Sequence, residues 1–212
     1  MTVVITGASR GIGAGLAAAY KMRGDRVIGT TRTGAHPLDV RDPTNHAAFA
    51  QSLAGQPVEL LVCNAGVYLD KGQSLDGGFP ADQWADSFAT NVTGVFLTVQ
   101  ALLPNLRAAS AARIAIISSQ MASSERAPGG SYIYRSSKAA ALNLGRNLAT
   151  DLMPEGIAVG IYHPGWVQTD MGSAAAEITV NQAVAGLVDR FDALTLPRTG
   201  VFETWDGRPH AY

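Results

Sequence analysis

The stretch TGASRGIG, Thr6 to Gly13, lies between a short apolar run and a segment with the periodicity of a helix. At such a turn Gly7 permits a tight bend, Gly11 lets the backbone approach a pyrophosphate, and Gly13 allows close packing of helix on sheet. The helix N-terminus also offers unpaired N–H groups to an anion. The stretch therefore predicts a dinucleotide-binding turn. Its spacing is G-x-x-x-G-x-G rather than the commoner G-x-G-x-x-G, and purely structural glycines are the alternative interpretation.

Short apolar runs and longer helical segments alternate along the rest of the chain, which is typical of repeated β-α-β units. The runs do not alternate with polar residues, as expected for parallel strands covered on both faces. We therefore predict an α/β fold, a Rossmann-type doubly wound parallel sheet, in a single domain of residues 1–212. The predicted strands are 2–6, 26–31, 58–63, 113–118, 158–162 and 200–204. The predicted helices are 12–22, 44–53, 81–109, 132–152 and 180–191.

The composition of the chain excludes several classes of partner. Charged residues make up 16% of the chain and the formal net charge is -1. The charged residues are spread along the sequence with no run of like charges, so we expect no nucleic-acid and no membrane partner. The one cysteine, Cys63, lies in an apolar run and cannot form an internal disulfide. No leader precedes the first strand, so we expect a cytoplasmic protein. No metal site is predicted.

The residues after the second predicted strand indicate which dinucleotide is bound. An NAD-preferring site needs a carboxylate there to accept the ribose hydroxyls. This chain has Thr31 and Arg32 instead, and Asp25 lies at the opposite end of the strand. Arg32 and Arg10 could supply guanidinium groups to a 2′-phosphate, which favours NADP(H). The alternative is that both arginines are only solvated surface residues. About eight residues separate this strand from Asp39, too few for a helical crossover, so a loop is predicted.

Tyr134 and Lys138 are four residues apart in a predicted helix, so they share one face. A phenol with a pKa of about 10 is a poor acid–base catalyst at neutral pH, whereas a nearby ammonium and the cationic nicotinamide ring both favour the phenolate. We therefore expect Lys138 to lower the pKa of Tyr134. Tyr132 is excluded by the same reasoning, because Ser136 and not a lysine lies four residues after it.

Ser119 follows the predicted strand 113–118, at the carboxyl edge where open α/β sheets bind ligands. Its hydroxyl could hydrogen-bond a substrate carbonyl or alcohol beside Tyr134. Serine-hydrolase chemistry is the competing use of this residue. However, no G-x-S-x-G motif surrounds Ser119. No local context marks a base among the histidines, which are His36, His46, His163 and His210.

Seven ordered motifs resemble those of the short-chain dehydrogenase/reductase family, from Met1 to nearly the C-terminus. They are TGASRGIG at 6–13, LDV at 38–40, NAG at 64–66, NVTG at 91–94, ISS at 117–119, YRSSK at 134–138 and HPGWVQTDM at 163–171. The YIYRSSKAA context and the GVFETWDG ending are similar to the small carbonyl-reductase branch with its C-factor-like and Sniffer-like proteins.

The resemblance implies a catalytic tetrad and a cofactor site. Asn91 would hold a water that links Lys138 to solvent, completing a tetrad with Ser119 and Tyr134. Asp39 and Val40 would contact the adenine, 64–66 the adenine ribose region, and 164–169 the nicotinamide. The cofactor-binding residues predicted from motif and resemblance together are Gly7, Ser9, Arg10, Gly11, Ile12, Gly13, Thr31, Arg32, Asp39, Val40, Asn64, Ala65, Gly66, Pro164, Gly165, Trp166, Val167 and Thr169.

The predicted function is an NADP(H)-dependent oxidoreductase that interconverts a small-molecule carbonyl and an alcohol by hydride transfer, with Tyr134 as general acid/base. The alternative is a dinucleotide-binding signalling or regulatory protein with little turnover. The long helices 81–109 and 132–152 carry Ala and Leu on more than one face, which favours a homodimer or homotetramer.

Departures from the family's pattern concern the substrate side of the site. Cys63 stands where many relatives have Asn, and Met121 and Ala122 stand where small residues including Gly are frequent. The segment 171–179, where many relatives insert a substrate lid, is very short, so we expect an open site.

Overall fold

Six strands form one parallel sheet in the computed structural model of the chain, which describes residues 1–212. The strands are β1 Thr2–Ile5, β2 Arg26–Gly29, β3 Leu60–Cys63, β4 Arg113–Ile117, β5 Ala158–His163 and β6 Phe202–Thr204. Their order across the sheet is β2-β1-β3-β4-β5-β6. The order reverses between β1 and β3, and ligands of open α/β sheets bind at the carboxyl ends of strands at such a point. The predicted doubly wound fold is confirmed.

Six helices cover the two faces of this sheet. They are α1 Gly11–Met22, α2 Pro43–Ser52, α3 Ala81–Phe88, α4 Gly94–Arg107, α5 Tyr132–Leu152 and α6 Val180–Asp192. The single helix predicted over 81–109 is wrong in detail, because a π-helical segment, Ala89–Thr93, separates α3 from α4. Such wider turns are frequent at functional sites. None of the helices has the length and apolar composition needed to cross a bilayer.

Successive residues of each strand enter opposite layers of the core. Val4 packs with Leu61 beneath α2, α4 and α5, whereas Val3 and Ile5 pack with Leu60 beneath α1 and α6. All of these side chains are fully buried. This two-sided burial explains why the strands are continuously apolar in sequence.

The connection between β2 and α2 contains no helix, as predicted. A bridge between Thr31 and Pro37 closes the loop. The carboxylate of Asp42 then accepts a hydrogen bond from the Thr44 N–H, and Pro43 occupies the first helical position. Both features start a helix efficiently, so α2 begins directly after the loop.

Close packing of α5 on the sheet brings the first turns of this helix to the carboxyl edge. A Cβ on Gly145 would lie 2.6 Å from Cγ1 of Ile161 and 3.1 Å from Cδ1 of Ile116. Both isoleucines are fully buried in neighbouring strands. Only glycine lets the α5 backbone approach the two strands this closely.

We predict that Gly145→Ala lowers the free energy of unfolding by about 1 to 3 kcal/mol, because an added methyl group overpacks a filled core. Urea denaturation followed by circular dichroism measures the change. Asn143→Ala, an exposed position of the same helix, is the matched control and should change stability by less than about 0.5 kcal/mol. Equal stability of the two variants would contradict the close approach of α5 to the sheet.

Candidate active site

The turn between β1 and α1 has the conformation that its glycines predict. Gly7 and Gly11 lie in the left-handed region, with φ of +68° and +55°, which glycine adopts without steric cost. A Cβ on Gly13 would lie 2.3 Å from the carbonyl oxygen of Gly7 and 2.5 Å from Nδ2 of Asn64. Gly13 is therefore needed for contact with the turn and with the residue after β3. These contacts bring the start of α1 close to the carboxyl ends of β1 and β3, the close approach that Gly13 is expected to allow.

The N-terminus of α1 remains available to an anion. Arg10 precedes the helix and its side chain makes no capping hydrogen bond, so the first N–H groups can bind an anion. Ser9 is exposed at the turn, and Ile12 is half-buried in the first turn of the helix. The exposed guanidinium of Arg10 forms an ion pair with Asp170, in the segment after β5.

No acidic side chain follows β2 at its carboxyl end. Thr30 is buried, Thr31 is half-buried and Arg32 is exposed. Asp25 lies at the opposite end of the strand, where its carboxylate is 3.0 Å from the N-terminal amino group of Met1. The prediction that Asp25 cannot serve a ribose is confirmed by this placement.

Asn64 fastens the end of β3 to the glycine turn. Its Nδ2 donates to the carbonyl oxygens of Thr6, at 2.9 Å, and Gly7, at 3.1 Å. The hydroxyl of Thr6 in turn accepts hydrogen bonds from the backbone N–H groups of Asn64 and Ala65, at 3.0 and 3.1 Å. The residues predicted to hold the pyrophosphate and the adenine ribose thus form one connected unit.

The two residues predicted to contact adenine follow the loop after β2. Val40 is buried, and the close approach of α4 beside it requires Gly94, whose Cβ would lie 2.8 Å from the Val40 carbonyl oxygen. Asp39 is half-buried and forms a bidentate pair with Arg41, at 3.0 and 2.7 Å. Hydrogen bonds from Arg41 lower the pKa of Asp39 to about 2, so this carboxylate is charged at neutral pH.

Three members of the predicted tetrad meet at the carboxyl edge of β4. Tyr134 and Lys138 lie on the first two turns of α5 and are buried. The ammonium of Lys138 lies 5.7 Å from the centroid of the Tyr134 ring and donates to the carbonyl oxygen of Ile117 at 2.9 Å. Ser119 follows β4, and its Oγ accepts from the Met121 N–H at 3.1 Å.

The ionisation of the buried pair differs from the sequence prediction. Burial raises the pKa of Tyr134 to about 12, and the neighbouring Ser119 hydroxyl only partly opposes this rise. Burial also lowers the pKa of Lys138 to about 8. Contrary to the expectation, no lowering of the Tyr134 pKa by Lys138 appears in this arrangement, because desolvation is the largest influence on the buried phenol. Tyr134 is a protonated phenol at neutral pH.

Asn91 lies in the π-helical segment and connects two elements of the site. Its Oδ1 accepts from the Val67 N–H at 2.9 Å, and its Nδ2 donates to the Val67 carbonyl and to Oγ of Ser137, each at 2.9 Å. A Cβ on Gly66 would lie 3.2 Å from Oδ1 of Asn91 and 3.4 Å from Nζ of Lys138. Asn91 is thus brought to Lys138, while its implied role in holding a water stays a prediction.

The residues predicted to contact nicotinamide form the loop after β5, opposite the glycine turn. Thr169 faces this turn, since a Cβ on Gly11 would lie 3.3 Å from Cγ2 of Thr169. The half-exposed indole of Trp166 donates from Nε1 to the Gly172 carbonyl oxygen at 2.7 Å. Pro164 and Gly165 are both half-buried.

The short segment 171–179 is held at both ends. Val167 is buried and pairs with Ile178 through a β-bridge, after Gly165 turns the chain with a φ of +90°. From the other side of the site, Nζ of Lys71 donates to the Met171 carbonyl oxygen at 3.2 Å. The segment therefore contacts the loop after β3. The sequence, which predicts an open site from the shortness of the segment, gives no sign of this contact.

A cavity of about 220 Å³ lies between the residues after β4, the loop after β5 and the C-terminal segment, and no member of the tetrad lines it. Gln120, the residue after Ser119, and Trp166 of the loop after β5 both line it. Most of the other lining residues are polar, including Arg126, Glu177 and His210. The only link of this cavity to the tetrad is Gln120, which follows Ser119 in the chain.

Two residues of the site, Tyr68 and Asp70, are absent from the sequence prediction. The Tyr68 ring is stacked on that of Tyr134, with centroids 4.2 Å apart and an angle of 18° between the planes. Asp70 is fully buried and accepts hydrogen bonds from the backbone of Ile133 and Tyr134. Neither belongs to a local pattern, so only their contacts across the fold reveal them.

The histidines do not form a nucleophile–base pair with Ser119. The Ser119 hydroxyl has no histidine among its hydrogen-bond partners. His163 is buried beside His210, with ring centroids 5.8 Å apart, and burial lowers the pKa of His163 to about 4. Cys63 is buried as predicted, and burial raises the pKa of its thiol to about 12. These groups give no support to hydrolase chemistry.

Most of the chain matches a known protein family. A family model described as short chain dehydrogenase matches residues 1–180. The C-signal protein of Myxococcus xanthus is 37% identical over 161 residues, which cover 76% of this chain and 96% of that protein.

Solved structures resemble the chain over its whole length. The NADPH-bound carbonyl reductase from chicken fatty liver matches with a TM-score of 0.91 and 29% identity, covering 100% of this chain and 98% of that one. The carbonyl reductase Sniffer of D. melanogaster matches with a TM-score of 0.93 and 26% identity, covering 100% and 99%.

Proposed function

This chain belongs to the short-chain dehydrogenase family, and from that premise we propose that it uses NADP(H) to interconvert a small-molecule carbonyl and an alcohol. The family membership makes it an oxidoreductase. The observation that carries the finer proposal is the buried pair of Tyr134 and Lys138 beside Ser119, at the carboxyl edge of the sheet. Ligands of this fold class bind at that edge.

The residues around the glycine turn fit a dinucleotide with a 2′-phosphate. The uncapped N-terminus of α1 can accept the pyrophosphate. No carboxylate stands after β2 to accept a ribose hydroxyl, and the exposed guanidinium of Arg32 is available for the additional phosphate. The carbonyl reductase from chicken fatty liver carries NADPH, and this likeness supports the same choice here. When bound, NADPH supplies the hydride for reduction of the carbonyl carbon.

The protein's own groups manage the proton. A phenol whose pKa burial raises to about 12 keeps its proton at neutral pH, so Tyr134 can donate it to the carbonyl oxygen. The Ser119 hydroxyl can hydrogen-bond the same oxygen and stabilise its developing charge. The Lys138 ammonium stabilises the phenolate that remains. In the direction of alcohol oxidation the phenolate accepts the proton again.

We also propose that copies of the chain associate through α4 and α5. Phe96 is 40% exposed on α4. Leu103 on the same helix and Leu144 and Leu148 on α5 are only partly buried. Apolar side chains that remain accessible on two long helices fit coverage by a partner. A homodimer or homotetramer and a cytoplasmic location both stay predictions.

A signalling or regulatory role is the second candidate, because the relative named C-signal shares 37% identity with the chain. The presence of Ser119, Tyr134 and Lys138 in one buried site favours turnover over binding alone. NADPH binding without turnover of any substrate in a broad carbonyl panel would favour the regulatory role.

Replacement of the phenol hydroxyl tests the proposed acid. We predict that Tyr134→Phe lowers kcat for NADPH-dependent carbonyl reduction by about 10² to 10⁴, with unchanged NADPH affinity. Tyr132→Phe, two residues earlier and 37% exposed, should keep the parental rate. NADPH absorbance with a carbonyl panel gives the rates. A Tyr134→Phe protein with the parental rate would exclude this residue as the acid.

Cofactor preference is expected to depend on Arg32. Loss of a charge-assisted hydrogen bond worth about 1.5 to 3 kcal/mol should raise the Kd for NADPH roughly 10- to 100-fold in Arg32→Ala and leave that for NADH unchanged. Arg26→Ala, at the other end of β2 and also exposed, is the control. Equal losses for NADPH and NADH would argue against a 2′-phosphate contact.

The rate of reduction should fall at alkaline pH. Burial lowers the pKa of Lys138 to about 8, so the ammonium that stabilises the phenolate is present below this pH and is lost above it. We expect kcat/KM for reduction to be constant below about pH 8 and then to fall about tenfold per pH unit. In Lys138→Met this alkaline limb should disappear and the rate at pH 7 should be low. A parental profile that stays flat to pH 10 would contradict the role of Lys138.

A further inference from the structure

The N-terminus of α5 is capped by a residue from a distant part of the chain. Ser131 precedes the helix in the left-handed conformation, with a φ of +47°, and its side chain does not cap it. The first N–H groups of a helix need acceptors. One Asp70 oxygen accepts from the Ile133 N–H at 2.8 Å, and the other accepts from the Tyr134 N–H at 3.2 Å. The cap therefore reaches the backbone of Tyr134 itself.

The Asp70 carboxylate is wholly buried and none of the ion pairs of the structure includes it. A buried charge without a cation is costly unless hydrogen bonds and dipoles compensate it. Here the backbone N–H groups and the positive end of the α5 dipole provide that compensation. Asp70 and the first turn of α5 consequently depend on each other.

Tyr68, two residues before Asp70, holds the other part of Tyr134. The two rings are stacked with centroids 4.2 Å apart. The Tyr68 hydroxyl lies 2.5 Å from Oγ of Ser131, the residue before α5. The loop after β3 thus contacts Tyr134 at its ring through Tyr68 and at its backbone through Asp70. These contacts leave the Tyr134 hydroxyl free to lie beside Ser119.

We propose that Asp70 is a positioning residue for Tyr134, which fixes the first turn of α5 and, together with the stacked ring of Tyr68, holds the phenol for proton transfer. This inference rests on the proposed function of Tyr134 as the acid. Misplacement of a reacting group by about 1 Å can reduce a rate about 100-fold, so this fixation matters for the chemistry.

The negative charge of Asp70 also acts on the ionisation of the Tyr134 phenol. Burial is the main cause of the raised pKa of Tyr134, and the Asp70 carboxylate adds to it because it disfavours a phenolate nearby. Removal of this charge should therefore lower the pKa of Tyr134 while it loosens the helix. Loss of the charge and exposure of the phenol both lower this pKa, so amide hydrogen exchange at Ile133 and Tyr134 is measured beside it.

The test uses Asp70→Asn and Asp70→Ala, with Asp76→Asn as matched control because Asp76 is exposed in the same loop. In both Asp70 variants we expect faster amide hydrogen exchange at Ile133 and Tyr134 in the protein without cofactor. We expect a lower pKa of Tyr134 in ultraviolet titrations against the Tyr134→Phe background. The kcat for reduction should fall about 10- to 100-fold, with NADPH Kd unchanged.

The outcomes separate this inference from the proposed function. If the parental protein reduces no carbonyl, the proposed function fails, while exchange and titration still decide whether Asp70 holds Tyr134. If the parental protein is active and Asp70→Asn matches Asp76→Asn in kcat, exchange and tyrosine titration, the inference is overturned. Should the Asp70 variants not fold, Tyr68→Leu and Tyr68→Phe replace them. Tyr68→Leu should lower kcat with NADPH Kd unchanged. Tyr68→Phe keeps the stacked ring and should retain a higher kcat than Tyr68→Leu. Parental rates in both variants would overturn the inference.

Discussion

The hydrogen bonds between Asn64 and the glycine turn join the two halves of the molecule at the point where the strand order reverses. Nδ2 of Asn64 reaches the carbonyl groups of Thr6 and Gly7, and this reach leaves no space for a Cβ on Gly13. The same contacts place the loop after β3 beside α1. Every later part of the site, from Gly66 to Asp70, is positioned by the start of that loop.

The loop after β3 organises the groups of the candidate site by a series of contacts along its length. Gly66 allows Lys138 and Asn91 to approach the backbone. The Val67 N–H donates to the Asn91 side chain, and the Val67 carbonyl oxygen accepts from it. Tyr68 and Asp70 then meet Tyr134. Since Asn91 lies in a π-helical segment, the irregularity between α3 and α4 serves to aim this side chain at Val67 and Ser137.

The sequence predicted those parts of the fold that depend on local patterns. The six strands, the glycine turn and the pairing of Tyr134 with Lys138 follow from apolar runs, residue type and helical spacing. The π-helical segment 89–93 was not predicted, because apolar residues recur at three- and four-residue intervals within 81–109 and give no local sign of a wider turn. Asp70 was not predicted either, since its partners are 63 and 64 residues away and a single loop carboxylate has no distinguishing pattern.

The ionisation of Tyr134 shows why spacing alone misjudged the chemistry. Spacing places an ammonium near the phenol and predicts a lowered pKa, but the packing that brings them together also removes water from both groups. Desolvation disfavours the charged form of each, so it raises the pKa of Tyr134 and lowers that of Lys138. Near neutral pH the phenol therefore keeps its proton, and the ammonium stays charged until about pH 8 although desolvation disfavours its charge. The close packing of α5 on the sheet, which buries both groups, thus raises the pKa of the phenol, whereas spacing alone predicts that this pKa is lowered.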